Sequence, residues 1–144
     1  MNYRPAVLAD VPVLVEIETG QPRCAQWGKT GWQTELADPS ARVICAEEDG
    51  QVVGFLALRL AAGVCEILNV GVHGAFMRRG IARGLMAGAL DQVRREGGAQ
   101  ITLEVGAHNR PALGLYAQAG FVQLGRRKNF YAGNEDALIL GKTV

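Results

Sequence analysis

Serine is almost missing from this chain: Ser40 is the only one in 144 residues. A Ser–His–Asp nucleophile therefore has no support. Histidine is nearly as scarce. His73 and His108 stand far apart, and no carboxylate or cysteine pairs with either at ligand spacing, so no metal is expected. The cysteines, Cys24, Cys45 and Cys65, are odd in number and form no C-x-x-C pair. That excludes a disulfide framework or zinc site and reads as buried thiols in a reducing compartment. Neither sign of charge dominates: 15 Lys and Arg against 14 Asp and Glu leave a net charge of +1. The balance gives no general case for nucleic acid or membrane partners. No apolar run is long enough to span a bilayer, and no basic region followed by an apolar run opens the chain. The cytoplasm is the expected compartment. Repeats, low-complexity tracts and linkers are also missing, so residues 1–144 are expected to form one domain.

The remaining sequence is rich in periodic apolar pattern. Hydrophobic residues make up 49% of it, enough for one substantial core at this length. Residues 2–7 read as a strand. Asp10 is placed to cap a helix to about residue 18, with Pro12 in its first turn. Residues 19–31 look irregular, and a short helix is expected over 32–37. Strands at 42–47, 51–60 and 64–72, separated by Glu48-Asp49-Gly50 and Ala61-Ala62-Gly63, imply an antiparallel meander. From Gly80, Ile81, Leu85, Ala89 and Val93 recur every four residues until Gly97-Gly98, which spells a helix. Residues 100–105 alternate as a strand. Asn109 and Pro111 open a helix that stops at Gly120, and 121–130 with 136–140 read as a closing hairpin.

The strongest chemical signal is Arg78-Arg79-Gly80-Ile81-Ala82-Arg83, which follows a strand and opens the longest helix. The first N–H groups of a helix lack internal partners and sit at the positive end of its dipole, so such a turn suits a phosphate or diphosphate. Gly80 removes the Cβ that would block close approach, and three arginines add charge. A P-loop is excluded because Gly-Lys-Ser/Thr is missing, and a Rossmann fingerprint because Leu85 stands where its third glycine belongs. Alone, the segment reads equally well as a solvated basic helix start.

At this point the chain resembles the GNAT acetyltransferases, whose signature is Q/R-x-x-G-x-G/A at a helix start. Gly80-x-Ala82 fits its second half, whereas Met77 stands at its first position. Leu68-Asn69-Val70-Gly71-Val72, Leu103-Glu104-Val105, Asn109-x-x-Ala112, Leu115-Tyr116-x-x-x-Gly120-Phe121, Arg127-Lys128-Asn129-Phe130-Tyr131 and Glu135-Asp136-Ala137 follow in family order. They are similar to the ribosomal-protein-alanine N-acetyltransferase subgroup. The resemblance implies the GNAT fold: α/β, with a mixed, mostly antiparallel sheet, splayed central strands and flanking helices. It implies acetyl-CoA as donor. Val70, Gly71 and Val72 would pair with the pantetheine amides, with a bulge at Gly71. Arg78, Arg79, Gly80, Ile81, Ala82 and Arg83 would hold the diphosphate. Asn109 is either a cofactor contact, a helix cap, or both.

Acetyl transfer needs an amine freed of its proton, a hydrogen-bond donor for the developing oxyanion, and an acid for the departing thiolate. By resemblance Glu104 is the base, Tyr116 the acid, and a backbone N–H near Val72 the oxyanion donor. From pattern alone Glu104 is a surface residue, and Tyr116, on a stripe with Leu113 and Gly120, is core. Trp27, Trp32 and Tyr131 would either wall the acceptor groove or plug the core. The expected acceptor is a protein N-terminus, such as that of a ribosomal protein. The alternatives are a small amine, polyamine or lysine side chain, or a CoA-binding module without turnover.

Overall fold

Two tight turns near the chain's middle organise the sheet. Asp49 and Gly50 have φ of 51° and 79°, Ala62 and Gly63 of 52° and 77°. Two successive left-handed residues make the primed turn that joins twisted antiparallel strands. They connect β2 (Ala41–Glu48), β3 (Gln51–Ala61) and β4 (Val64–Val72). The computed structural model describes residues 1–131 and 133–144. Around the meander lie β1 (Asn2–Pro5), β5 (Gln100–Gly106), β6 (Val122–Tyr131) and β7 (Glu135–Thr143), in the sheet order β1-β2-β3-β4-β5-β7-β6. Every neighbouring pair is antiparallel except β4–β5. That parallel pair is joined by the helix α3 (Ile81–Arg95), and α4 (Arg110–Gln118) links β5 to β6.

β3 is buried on both faces, which is why its sequence is a nearly unbroken apolar run. Leu56 and Leu58 pack with Leu85, Met86 and Val93 of α3, while Phe55 and Ala57 pack on the opposite face with Trp32, Leu14 and Ile17. Each such side chain contributes about 1.5–3 kcal/mol by leaving water. The second face is covered by α1 (Val11–Thr19) and α2 (Gly28–Ala37).

Three local expectations are corrected. α2 begins at Gly28, four residues before the expected start, because the buried carboxylate of Glu18 accepts the N–H groups of Trp27 at 3.1 Å and Gly28 at 2.8 Å. This caps the helix from outside its own sequence. Asp10 stands at the start of α1 but does not bond the helix; its carboxylate accepts from Arg4 at 2.8 and 2.9 Å and from the Val7 N–H at 2.8 Å. The Arg4 guanidinium holds that carboxyl below its usual range. The third correction concerns the bulge in β4 and belongs to the site.

Candidate active site

The ladder between β4 and β5 stops early. It runs from Val64↔Gln100 to Ile67↔Leu103, although β4 continues to Val72 and β5 to Gly106. On the other side of β4, Ile67 pairs with Leu58 and Asn69 with Ala57, leaving Leu68 with no residue opposite. A bulge sharpens local twist and bends its strand, and this one falls where β4 leaves β5. The expected bulge at Gly71 is therefore at Leu68. Gly71 is required for a different reason: a Cβ there would lie 2.7 Å from Phe55 Cε2 and 3.0 Å from Cys24 Sγ. Beyond the bulge, Val70 to Val72 have no strand partner on the β5 side among the described residues. The Val70 carbonyl does accept from the Cys24 thiol at 3.2 Å.

Beyond the end of β4 the chain reaches the arginine-rich turn. Arg78 and Gly80 adopt φ of 64° and 76°, and Arg79 between them is not left-handed. Alternating handedness turns successive N–H groups toward one concave side. Gly80 caps α3 without any side-chain hydrogen bond. Among the described residues the backbone N–H groups of Arg78, Arg79, Gly80, Ile81, Ala82 and Arg83 bond to no protein group. The side chains are used unequally. Ile81 is buried in the core, so only its main chain faces the turn. Arg79 stacks over Phe76 at 5.0 Å and leans to Glu48 at 3.4 Å, and Arg83 donates to Gln118 of α4 at 2.9 Å.

Glu104 is the first β5 residue past the end of the ladder. Its carboxylate is half-buried and meets the Arg127 guanidinium of β6 at 3.2 Å. Tyr116 of α4 is buried at 7% exposure, with Phe121 edge-on at 5.7 Å. Burial pushes its hydroxyl up to about 12, with the neighbouring Cys24 and Tyr131 adding to the shift. Its hydroxyl has no hydrogen-bond partner among the described residues. The Tyr131 hydroxyl is raised by burial, then by Glu104 and Glu135. Glu104, Tyr131, Tyr116 and Cys24 thus share one neighbourhood at the opening. Asn109 caps α4 by accepting the Ala112 N–H at 3.4 Å.

Several neighbours of the opening have roles that only the fold shows. Asn69, a buried amide, accepts the Ala25 N–H at 3.2 Å and donates to the Ala25 carbonyl at 3.1 Å. With the Cys24 thiol it ties the α1–α2 segment to β4; its one signal was a lone amide in an apolar strand. Glu135 accepts from Arg23 at 3.1 Å and from the His108 N–H at 2.8 Å, which closes a clasp across the end of β5. The N–H of His108 and the Arg23 guanidinium hold its carboxyl below the usual range. Trp32 is a core residue: it is fully buried, donates to Glu18 at 2.8 Å and meets Trp27 and Phe55 edge-on. His73 accepts the Ala75 N–H and starts the short turn after β4. The three thiols are free and buried, Cys24 pushed up to about 11 and Cys45 and Cys65 to about 12 by that burial.

Comparison with known proteins points in one direction. The model of the Acetyltransferase (GNAT) family matches residues 12–121. A candidate ribosomal protein bS18-alanine N-acetyltransferase of Bacillus subtilis (strain 168) is 30% identical over 139 residues, covering 95% of this chain and 91% of that protein. The crystal structure of the ribosomal-protein-S18-alanine N-acetyltransferase from Escherichia coli superposes with a TM-score of 0.90 at 24% identity, covering 99% of this chain and 93% of that one. Arabidopsis thaliana NAA60, solved in complex with acetyl-CoA, gives 0.87 at 19% identity, covering 99% and 98%.

Proposed function

This chain belongs to the GNAT family of N-acetyltransferases, and on that premise we propose that its donor is acetyl-CoA and its acceptor the N-terminal α-amine of a protein. One observation supports the donor above all others. The opening between β4 and β5 past Ile67 and Leu103 is followed, where β4 ends, by a turn whose N–H groups are unclaimed. An extended chain with two amides fits the open edge of Val70, Gly71 and Val72, and a diphosphate fits the N–H groups of Arg78 to Arg83. The thioester end would then lie near Glu104 and Tyr116.

Glu104 takes a proton from the acceptor ammonium, directly or through water. The freed amine attacks the thioester carbonyl, the C–S bond breaks, and Tyr116 gives its hydroxyl proton to the departing sulfur and is reprotonated by the second proton that the new amide nitrogen sheds. A main-chain N–H near Val72 stabilises the charge on the carbonyl oxygen. Two of the relatives carry the name of ribosomal-protein-alanine N-acetyltransferases, the first as a candidate, which makes ribosomal-protein N-terminal peptides that begin with alanine the first acceptors to offer. The test measures CoA thiol release with N-terminal peptides, lysine peptides and small amines in parallel. Preference for N-terminal peptides is expected. Turnover of lysine peptides or polyamines alone would discard the acceptor, and thermal stabilisation by CoA without thiol release would discard turnover itself.

A further inference from the structure

The two faces of the opening carry different chemistry. Along β5, Ile101, Leu103 and Val105 are buried in the core that α3 covers. Successive strand residues point to opposite faces, so Glu104 points to the other face, that of α1 and α2. On that face Arg23 and Glu135 lie over Gly106: a Cβ there would lie 2.7 Å from Arg23 Nη1 and would clash with Glu135 Oε2. The diphosphate turn opens α3 and belongs to the first face. A donor held at that turn leaves the α1–α2 face for the acceptor amine, which must reach Glu104.

The chain between α1 and α2, residues 20–27, walls that approach. Its Cys24 neighbours Tyr116, and among the described residues it hydrogen-bonds to the sheet at three positions only. The Arg23–Glu135 pair is one, with the arginine half exposed. The other two are adjacent on β4, where Asn69 holds Ala25 and the Val70 carbonyl accepts from Cys24. Asn69 lies opposite Ala57, as Gly71 lies opposite Phe55, on the α1–α2 face. At 5% exposure its amide is shielded from competing water. An amide that both donates to and accepts from the main chain of one residue fixes that residue much as a paired strand would. Asn69 is also the first β4 residue past the bulge at Leu68, where the strand parts from β5. The wall is therefore anchored at the edge of the gap itself.

Resting on the acetyl-transfer reading with Glu104 as base, we infer that Asn69 is a positioning residue for the acceptor: it fixes residues 23–25 as the wall past which the amine reaches Glu104. Asn69 acts through that segment and touches neither substrate. Without it the segment must be ordered when the acceptor binds, and the cost falls on acceptor affinity. The donor's diphosphate, held from the other face, does not bear that cost. The experiment measures acceptor KM at saturating acetyl-CoA with an alanine-initiated peptide, and Kd for CoA by calorimetry. Asn69→Ala raises acceptor KM about tenfold and leaves Kd for CoA within about twofold. Cys24→Ala, which removes only the thiol bond to Val70, gives a smaller rise, and Cys24→Ser, which keeps a donor there, restores most of it. Those two variants carry the test should Asn69→Ala fail to fold. A lower Tm with acceptor KM unchanged, or equal losses for CoA and acceptor, overturns the inference and makes Asn69 a structural tie alone. Should the wild type ignore the peptide but acetylate a lysine peptide or a small amine, the N-terminal reading falls and the same comparison is made with that amine. Failure to release thiol with any amine overturns both readings.

Discussion

Glu104 and Tyr116 sit at one opening in different surroundings, and their expected behaviour differs accordingly. Glu104 is half-buried and carries its charge beside Arg127. If it removes the ammonium proton, Glu104→Gln lowers kcat/KM at neutral pH by about 10²–10⁴. The loss shrinks as pH passes the pKa of a free α-amine, about 8, because the amine then deprotonates unaided. A pH–rate profile in which the variant falls in parallel at every pH would mean damage to the site, not loss of a base. Tyr116 is buried, and its hydroxyl is raised to about 12 by that burial. It therefore keeps its proton through the working range, as an acid for the thiolate must. The same shift has a sign for stability. Between about pH 10 and 12 the unfolded chain has lost this proton and the folded chain has kept it, so stability falls with rising pH across that window and is untouched below it. Tyr116→Phe is expected to flatten that alkaline decline, worth of order 2 kcal/mol, and to lower kcat more than it changes KM for acetyl-CoA. Denaturant titrations at pH 9 and pH 11 and steady-state kinetics check the two halves separately.

At the scale of elements, the α1–α2 pair depends on one carboxylate. Glu18 ends α1, starts α2 through the Trp27 and Gly28 N–H groups, and holds the indole of Trp32. Glu18→Ala strands the buried Trp32 indole donor and the half-buried N–H groups of Trp27 and Gly28, at a cost of about 3 kcal/mol. For a domain of this size that lowers Tm by about 6–12 °C, measurable by calorimetry. A change under about 2 °C would mean that water replaces the carboxylate. This contact also marks where sequence reading stops. The meander was legible because its two turns and its alternation are local, and β4 was bounded at Val64 and Val72 as observed. The start of α2 was not legible, because its cap lies nine and ten residues upstream on another helix. The resemblance implies a bulge at Gly71, where a permissive backbone suits one; the bulge forms at Leu68, while Gly71 answers to the ring of Phe55 across the sheet. Within the opening, the helix start at Gly80 and the β5 position of Glu104 were legible from period and order. Arg127 and Asn69 were not, since each acts on a residue brought near only by the folded sheet.

At the scale of the molecule, the sheet is continuous in order but thin at its centre, where pairing is as short as at the β1–β2 edge. The β4–β5 ladder has four residue pairs, against seven for β5–β7 and eight for β3–β4. Past the ladder, the halves meet mainly through α3 and its core and through the Arg23–Glu135 clasp. A ligand seated in the gap would supply pairing that the protein withholds from itself, so it should stabilise the fold by mass action as well as react. At a hundred times its Kd, CoA adds about 2.7 kcal/mol, which raises Tm by roughly 5–11 °C. The diphosphate should supply a large share, because the Arg78 to Arg83 N–H groups have no other partner among the described residues. Pantetheine at the same concentration, lacking the diphosphate, should shift Tm by far less. Equal shifts for CoA and pantetheine would place the binding energy in the strand gap and leave the helix turn without a role.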